Sequence, residues 1–451
     1  MKIHLQDGLY GLCLRKINRD PVFLRSLGIQ SVAAVDAAMF RKYRDHRLRQ
    51  TIYYAYENSA FYKKIFDEKG ISPSDIATSD DLWKVPFTCP EDLSSNSYSF
   101  LCTSQGALEK QVTFHSSGTT GIKKKVFFSP GDVGAILRFL SVGMRSVASE
   151  NARVYIMLPN TQGRGIGALL SQSLVAAGMQ TEVGDLEWPS EKHLEMIRVL
   201  QPDVIFANAR SVFRMMQELK DEVDLAALKV STLFLTMEHV SEAMRRQLED
   251  VWQCQVRLHY GLAEMGWGLA VECAPGRYHY NEFGVIAEVV DPATGKILPS
   301  GSEGELVFTS LGREAMPLLR YRSHDFAAMR SGRCTCGHWM DSIGLVKKRK
   351  ESVILTAGGR EIMPSLLDEW MFRFEEVVDY QVQYHRIDER EFLKFHIEMT
   401  ADSAHGREAV EKEITQRCAV ELGMSAPEFR YAKKGELAPT ATEKKLIRIC
   451  E

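Results

Sequence analysis

Residues 116–121 read Ser116-Ser117-Gly118-Thr119-Thr120-Gly121, and Lys123, Lys124 and Lys125 follow. Two glycines flank two threonines behind two serines, so backbone N–H groups and four hydroxyls can converge on one anion. That is the chemistry of a phosphate cradle. It is not a Walker loop, because Gly-x-x-x-x-Gly-Lys-Ser/Thr is absent, and taken alone such a stretch also fits a surface turn. A second group is His259-Tyr260-Gly261-Leu262-Ala263-Glu264. Here an aromatic face can stack on a base, a glycine lets the backbone approach a ligand, and a carboxylate can hold Mg²⁺; the alternative is a strand end with a buried tyrosine and a solvated glutamate. A third, Met316 to Asp325, puts an aspartate at the end of a strand, where it can accept two ribose hydroxyls or cap a turn.

These residues need a scaffold, and the 451-residue chain is long enough to bury more than one core. Hydrophobic residues at 45%, charged residues at 25%, 32 Gly and 15 Pro exclude collagen-like, low-complexity and wholly disordered chains. A net charge of -3 offers no global basic field for a nucleic-acid backbone, so an anionic ligand must be met by a local site. No signal peptide is read in Met1 to Asp20, and no run approaches the ~18 apolar residues of a membrane helix. Nine cysteines, an odd number and mostly far apart, argue against a secreted disulfide framework. The expectation is a cytoplasmic protein with no nucleic-acid or membrane partner.

Periodicity predicts a helical cap over 30–70. It predicts strands at Gln111 to His115 and Lys125 to Phe128 around the 116–121 loop, then a helix opened by Ser129-Pro130-Gly131-Asp132. Strand and helix then alternate: strands at 153–158, 180–183, 204–207 and 232–236, with helices at 166–177, 191–200 and 211–219. Such alternation implies parallel sheets covered by helices. From 277 to 345 the texture is strand-rich, which predicts a small antiparallel or barrel-like subdomain. The basic run Lys347 to Lys350 precedes about 100 residues with enough strands and helices for a small α+β domain. The fold class is α/β, with an N-terminal domain over 1–347 and a C-terminal domain over 352–451.

The three motifs, in this order and at these separations, resemble the adenylate-forming superfamily of acyl-CoA synthetases, and within it the phenylacetate-CoA ligase branch. The resemblance runs from about residue 80 to the end. Ser116 to Gly121 matches the family phosphate loop at every position. Tyr260 to Glu264 matches Tyr-Gly-x-Thr-Glu except at Ala263, and Tyr321-Arg322-Ser323-His324-Asp325 looks like Tyr-Arg-Thr-Gly-Asp. It implies that Tyr260 stacks on adenine, Glu264 binds Mg²⁺, Asp325 holds the ribose and the loop holds the β- and γ-phosphates. Lys124 falls where many members carry the lysine after the loop. The hinge motif survives only in part, as Lys348-Arg349-Lys350-Glu351-Ser352, with Arg349 a ribose ligand. Gly358-Gly359-Arg360-Glu361 fits the glycine loop of the small domain's second face, and Lys445, rather than Lys444, falls at the catalytic lysine of adenylation.

The implied reaction joins a small carboxylic acid, aryl or apolar, to ATP, releases pyrophosphate, and passes the acyl group to coenzyme A. Mg²⁺, bound by Glu264, would act with Thr119, Thr120 and Lys445 to supply most of the positioning and charge neutralisation. Alternatives are an adenylating ligase with a different acceptor and a degenerate nucleotide-binding scaffold. Pocket candidates are Asn208, Ala209, Met237, Glu238, Met265, Gly266 and Trp267. Separately, Cys273, His279, Cys334 and Cys336 sit in two turns and supply three thiolates and an imidazole, the donor set of a closed structural zinc site. His338 and Cys254 compete for the fourth position, and reduced buried cysteines are the plain alternative. Some members of the branch have cysteines at similar places.

Overall fold

The computed structural model describes residues 5–115, 123–159, 165–339, 341–387, 390–400, 404–433, 435–437 and 447–450. The chain opens with α1 (Leu5–Asn18), the short α2 (Pro21–Ser26), α3 (Ala37–Asn58) and α4 (Ala60–Lys69). Asp36 accepts from the Met39 amide at 2.7 Å and Ser59 from the Tyr62 amide at 3.3 Å. Each thereby satisfies a first-turn N–H that has no partner inside its helix. α3 and α4 supply the cap predicted over 30–70. The sequence reading assigns no element to α1, yet its buried Leu9, Cys13 and Ile17 recur every fourth residue and form an apolar stripe.

After α5 (Pro90–Asn96) comes an antiparallel hairpin of β1 (Lys110–His115) and β2 (Lys123–Phe128), with Lys110 opposite Phe128 and His115 opposite Lys123. The phosphate-loop candidates Ser116 to Gly121 join these strands and lie outside the described residues. Helix α6 (Pro130–Arg145) begins at the expected place, with a capping box in which the Ser129 side chain and the Asp132 carboxylate each accept the other's backbone amide.

The next stretch is β3 (Arg153–Met157), α7 (Ile166–Ala176), β4 (Gln180–Gly184), α8 (Ser190–Leu200), β5 (Val204–Asn208), α9 (Ala209–Leu219), β6 (Thr232–Thr236), α10 (Glu242–Trp252) and β7 (Gln255–Tyr260). The five strands form a parallel ladder in the order β4-β3-β5-β6-β7. β5 and β6 are buried along their whole lengths, as central parallel strands covered on both faces must be.

Then follow β8 (Ala270–Glu272), β9 (Tyr278–Tyr280), β10 (Val285–Val290), β11 (Glu303–Ser310), β12 (Tyr321–Arg330) and β13 (Ser342–Ile343), all antiparallel in the order β8-β9-β13-β12-β11-β10. This is the predicted strand-rich region. The last part holds β14 (Lys348–Arg349), β15 (Ile354–Leu355), β16 (Glu361–Ile362), α11 (Pro364–Met371), β17 (Val377–Ile387), β18 (Arg390–Met399), α12 (Ala404–Arg417), β19 (Glu428–Ala432) and β20 (Ile447–Cys450). Its four-stranded sheet runs β19-β18-β17-β20.

The chain packs as two compact units. One contains 1–150 with 259–346, and the other contains 151–258 with 347–451. Among the described residues, no helix is long and apolar enough to cross a membrane.

Candidate active site

β7 delivers Tyr260 and stops at Gly261. A Cβ at 261 would lie 1.9 Å from the Trp267 carbonyl oxygen, so only glycine lets the chain fold back here. The close neighbour is thus the protein's own backbone. Trp267 N–H donates to the Leu262 carbonyl at 3.0 Å, and a single 3₁₀ turn over Ala263–Met265 carries Glu264 inward. Glu264 is 3% exposed.

Its Oε1 accepts from Lys124 Nζ at 3.1 Å and from the Tyr321 hydroxyl at 2.8 Å, while its carbonyl accepts from Arg313. Arg313 lies over the Phe128 ring, 4.6 Å from its centroid, and burial pulls its guanidinium down to about 10. Lys124, on β2, therefore neutralises a carboxylate that would be costly to bury alone.

Asp325 does not end its strand, as the sequence reading expects; β12 continues to Arg330. The side chain is instead aimed by a bulge. Arg322 pairs with Val307 and Phe326 with Glu305, so Ser323, His324 and Asp325 together oppose Leu306 alone. The Ser323 hydroxyl donates to the Leu306 carbonyl at 2.7 Å and accepts from the Asp325 amide at 3.1 Å. His324 has φ 62, a left-handed conformation that glycine adopts without strain, and its N–H donates to buried Glu305 at 3.2 Å.

The two motifs meet directly. The Tyr260 hydroxyl donates to Asp325 Oδ2 at 2.6 Å, and its half-buried ring lies 5.9 Å from Tyr278 and 6.4 Å from Phe308, centroid to centroid. Neighbouring His259 is held neutral, its pKa pulled down to about 4 by burial. One unit thus gathers Lys124, Tyr260, Glu264 and Asp325, which stand up to 201 residues apart in sequence.

Tyr321, Arg313 and Glu305, which hold the carboxylates in place, have no role in the sequence reading. Tyr321 opens the Tyr321–Asp325 motif, so its position is legible in the sequence, whereas its pairing with Glu264 is not. Thr119, Thr120 and Lys445 lie outside the described residues. Arg349, on β14, belongs to the other unit, as do Asn208, Ala209, Met237 and Glu238 among the pocket candidates; Met265, Gly266 and Trp267 belong to the first.

The Cys/His group closes as a cluster. The donor atoms of Cys273, His279, Cys334 and Cys336 all lie within 4.8 Å of one another. Cys273 Sγ is 3.9 Å from Cys334 Sγ, and His279 Nε2 is 3.2 Å from Cys336 Sγ. A tetrahedral ion with bonds of about 2.3 Å to sulfur has edges of about 3.8 Å, so the donors fit zinc in number, type and spacing. His338 stacks on His279, with centroids 4.0 Å apart, and is outside the cluster. Cys254 lies in the other unit.

Residues 107–313 match the family described as AMP-binding enzyme. A phenylacetate-coenzyme A ligase of Thermus thermophilus is 31% identical over 387 residues, covering 83% of this chain and 85% of that protein. One of Pseudomonas putida is 29% identical over 409 residues, covering 87% and 90%. Among solved structures, 2-hydroxyisobutyryl-CoA ligase in its postadenylation state superposes with a TM-score of 0.81 at 17% identity, over 92% of this chain and 91% of that one. The same ligase in its thioesterification state gives 0.64 at 19% identity, over 92% and 90%. The chain belongs to the adenylate-forming AMP-binding enzymes, in the branch of the phenylacetate-coenzyme A ligases.

Proposed function

We propose that this enzyme activates an aryl or apolar carboxylic acid with ATP and transfers the acyl group to coenzyme A. In the first half-reaction the carboxylate attacks the α-phosphorus, pyrophosphate leaves, and an acyl adenylate remains. In the second a thiol takes the acyl group and AMP leaves. The single observation that carries this reading is the meeting of three motifs in one unit: Lys124 and Tyr321 on Glu264, and Tyr260 on Asp325.

Asp325, fixed through Oδ2 by Tyr260, would accept the ribose hydroxyls, with the Tyr260 ring against adenine. Glu264 would hold Mg²⁺, which supplies positive charge beside the phosphates. Lys124, now committed to Glu264, would then turn to a phosphate oxygen. Ser116 to Gly121 would cradle the β- and γ-phosphates, and Lys445 would meet the charge that develops at the α-phosphate. Arg349 would add a second ribose contact. We take residues 352–451 to move between the half-reactions, as a domain that presents first Lys445 and then the Gly358–Gly359 turn. The existence of distinct postadenylation and thioesterification states in 2-hydroxyisobutyryl-CoA ligase supports this.

The test is pyrophosphate release from ATP and Mg²⁺ over a panel of carboxylic acids, with and without coenzyme A. Acid-dependent release and a thioester product are expected. No release with any acid would refute the enzyme, and release without a thioester would indicate another acceptor. Lys445→Ala should lower release at least ~100-fold and Lys444→Ala much less. Equal losses would mean that the lysine is misassigned.

The four-donor cluster would hold one zinc ion, closed to water and so structural. Metal analysis should find about one zinc per chain, and Cys334→Ser should lose metal and stability together. Metal-free protein of unchanged stability would remove the site. The enzyme would act in the cytoplasm, consistent with the eight free cysteines among the described residues.

A further inference from the structure

Helix α9 carries two arginines whose partners lie far along the chain in the same unit. Arg214 meets Glu398 of β18 through two bonds, Nη1 to Oε1 at 3.0 Å and Nη2 to Oε2 at 3.3 Å. Its Nη2 also reaches Asp379 Oδ2 at 3.2 Å and the Leu437 carbonyl at 2.7 Å. Glu398 is fully buried and accepts in addition from the Gly435 amide at 2.8 Å. One turn earlier, Arg210 donates to the other oxygen of Asp379 and, at 3.3 Å, to the Tyr380 carbonyl. Two guanidiniums thus grip one aspartate on β17 and one glutamate on β18.

Arg210 also faces the other way. Its Nε lies 3.8 Å from Glu238, which follows β6, and Glu238 accepts from Asn208 Nδ2 at 3.3 Å. Asn208 ends β5 and caps α9 by accepting from the Ser211 amide. These are the carboxyl ends of two central parallel strands, the edge at which open α/β sheets bind ligands. Arg210 therefore spans from the ligand edge of the parallel sheet to the C-terminal sheet. The pairs are mostly buried, with side-chain exposures of 9% for Arg214 and 13% for Asp379. Removing one partner leaves a buried charge uncompensated, which disfavours the docked arrangement far more than loss of a surface pair would.

We infer that Arg210 and Arg214 are positioning residues that dock the C-terminal sheet on α9 for adenylation and report the state of the Asn208–Glu238 edge to it. The inference rests on the two-step reaction proposed above. A ligand that draws Asn208 or Glu238 toward itself changes the partners available to Arg210, and Asp379 responds. Arginine suits this task because its planar fork bonds two acceptors at once, as a lysine cannot.

The experiment separates the half-reactions in Arg210→Gln and Arg214→Gln. Pyrophosphate release should fall about 10-fold or more, whereas thioester formation from supplied acyl adenylate should change less than about 3-fold. Adding Asp379→Asn to Arg210→Gln removes both ends of the pair and should restore part of the loss. Equal effects on both half-reactions, or none on either, overturn the inference. Hydrogen exchange supplies a readout independent of activity: β17 amides should exchange about 10-fold faster in Arg214→Gln than in the unaltered chain. Unchanged exchange also overturns the latch, even if no acid proves to be a substrate and the proposed reaction falls. If Arg214→Gln does not fold, Arg214→Lys, which keeps the charge but loses the fork, should show the same split at smaller size, and equal effects there overturn it too.

Discussion

The Tyr260–Asp325 region and the α9 region both bury carboxylates, but they hold them by different means. In the first, backbone shape dominates: a glycine pressed on the Trp267 carbonyl turns Glu264 inward, and a bulge at φ 62 turns Asp325 out of its ladder. Lys124 is the cation bonded to Glu264, and hydroxyls from Tyr321 and Tyr260 complete the two sites. In the second, ordinary helix and strand backbone carries long arginines to acids more than 160 residues away. A site fixed by backbone is rigid and always assembled. One fixed by side-chain ion pairs can be released, which suits a binding site and a docking surface respectively.

Changes of shape should therefore damage the first region most. Gly261→Ala has to push a Cβ against a main-chain carbonyl and should cost about 3 kcal/mol or more, read as a large fall in unfolding temperature. Gly106→Ala, with nothing near its Cβ, should be close to neutral. Similar effects of the two would show that the Gly261 turn can relax, and would break the contrast.

Protons should act on the two regions with opposite sign. Burial pulls His259 from 6.5 down to about 4, so it folds neutral while the unfolded chain takes up a proton. Its contribution to stability is lost as pH falls from about 6.5 to about 4. Burial raises the Asp368 carboxyl, bonded to the Tyr380 hydroxyl, from 3.8 to about 7, despite the opposing charge of Arg210. That carboxyl also folds neutral, and its contribution is lost as pH rises from about 4 to about 7. Urea unfolding across pH should show stability rising less steeply with pH between about 4 and 6.5 in His259→Gln, and falling less, or rising more, between about 4 and 7 in Asp368→Asn. The same slope change in both would contradict the assignment.

The smallest effect should be a gain. His324→Gly relieves the left-handed backbone and should stabilise by about 1 kcal/mol, because the His324 amide can keep its bond to Glu305. A loss instead would mean that the His324 side chain itself holds the bulge.

The same division explains what the sequence disclosed. Tyr260 to Glu264 and Tyr321 to Asp325 are contiguous, since a backbone-shaped site must keep its local residues together, and so they could be read, as could the contiguous Ser116 to Gly121. The parallel strands were legible as short apolar runs between helices. Helix α10 was passed over, although Met244, Leu248 and Trp252, four residues apart, mark a buried stripe with Arg245, Arg246, Glu249 and Asp250 on the polar face. The bulge at 323–325 was hidden because two extra residues in the pairing leave the residue types of a strand unchanged. No local pattern pairs Arg214 with Glu398, or Lys124 with Glu264 across 140 residues.

The central claim is that Asp325, set in its bulge and held by Tyr260, receives the nucleotide. Calorimetric titration of ATP into the unaltered chain, Asp325→Asn and Arg214→Gln tests it most directly. Affinity should weaken about 10-fold or more in Asp325→Asn and stay within about 2-fold in Arg214→Gln. Unaltered ATP affinity in Asp325→Asn would contradict the account.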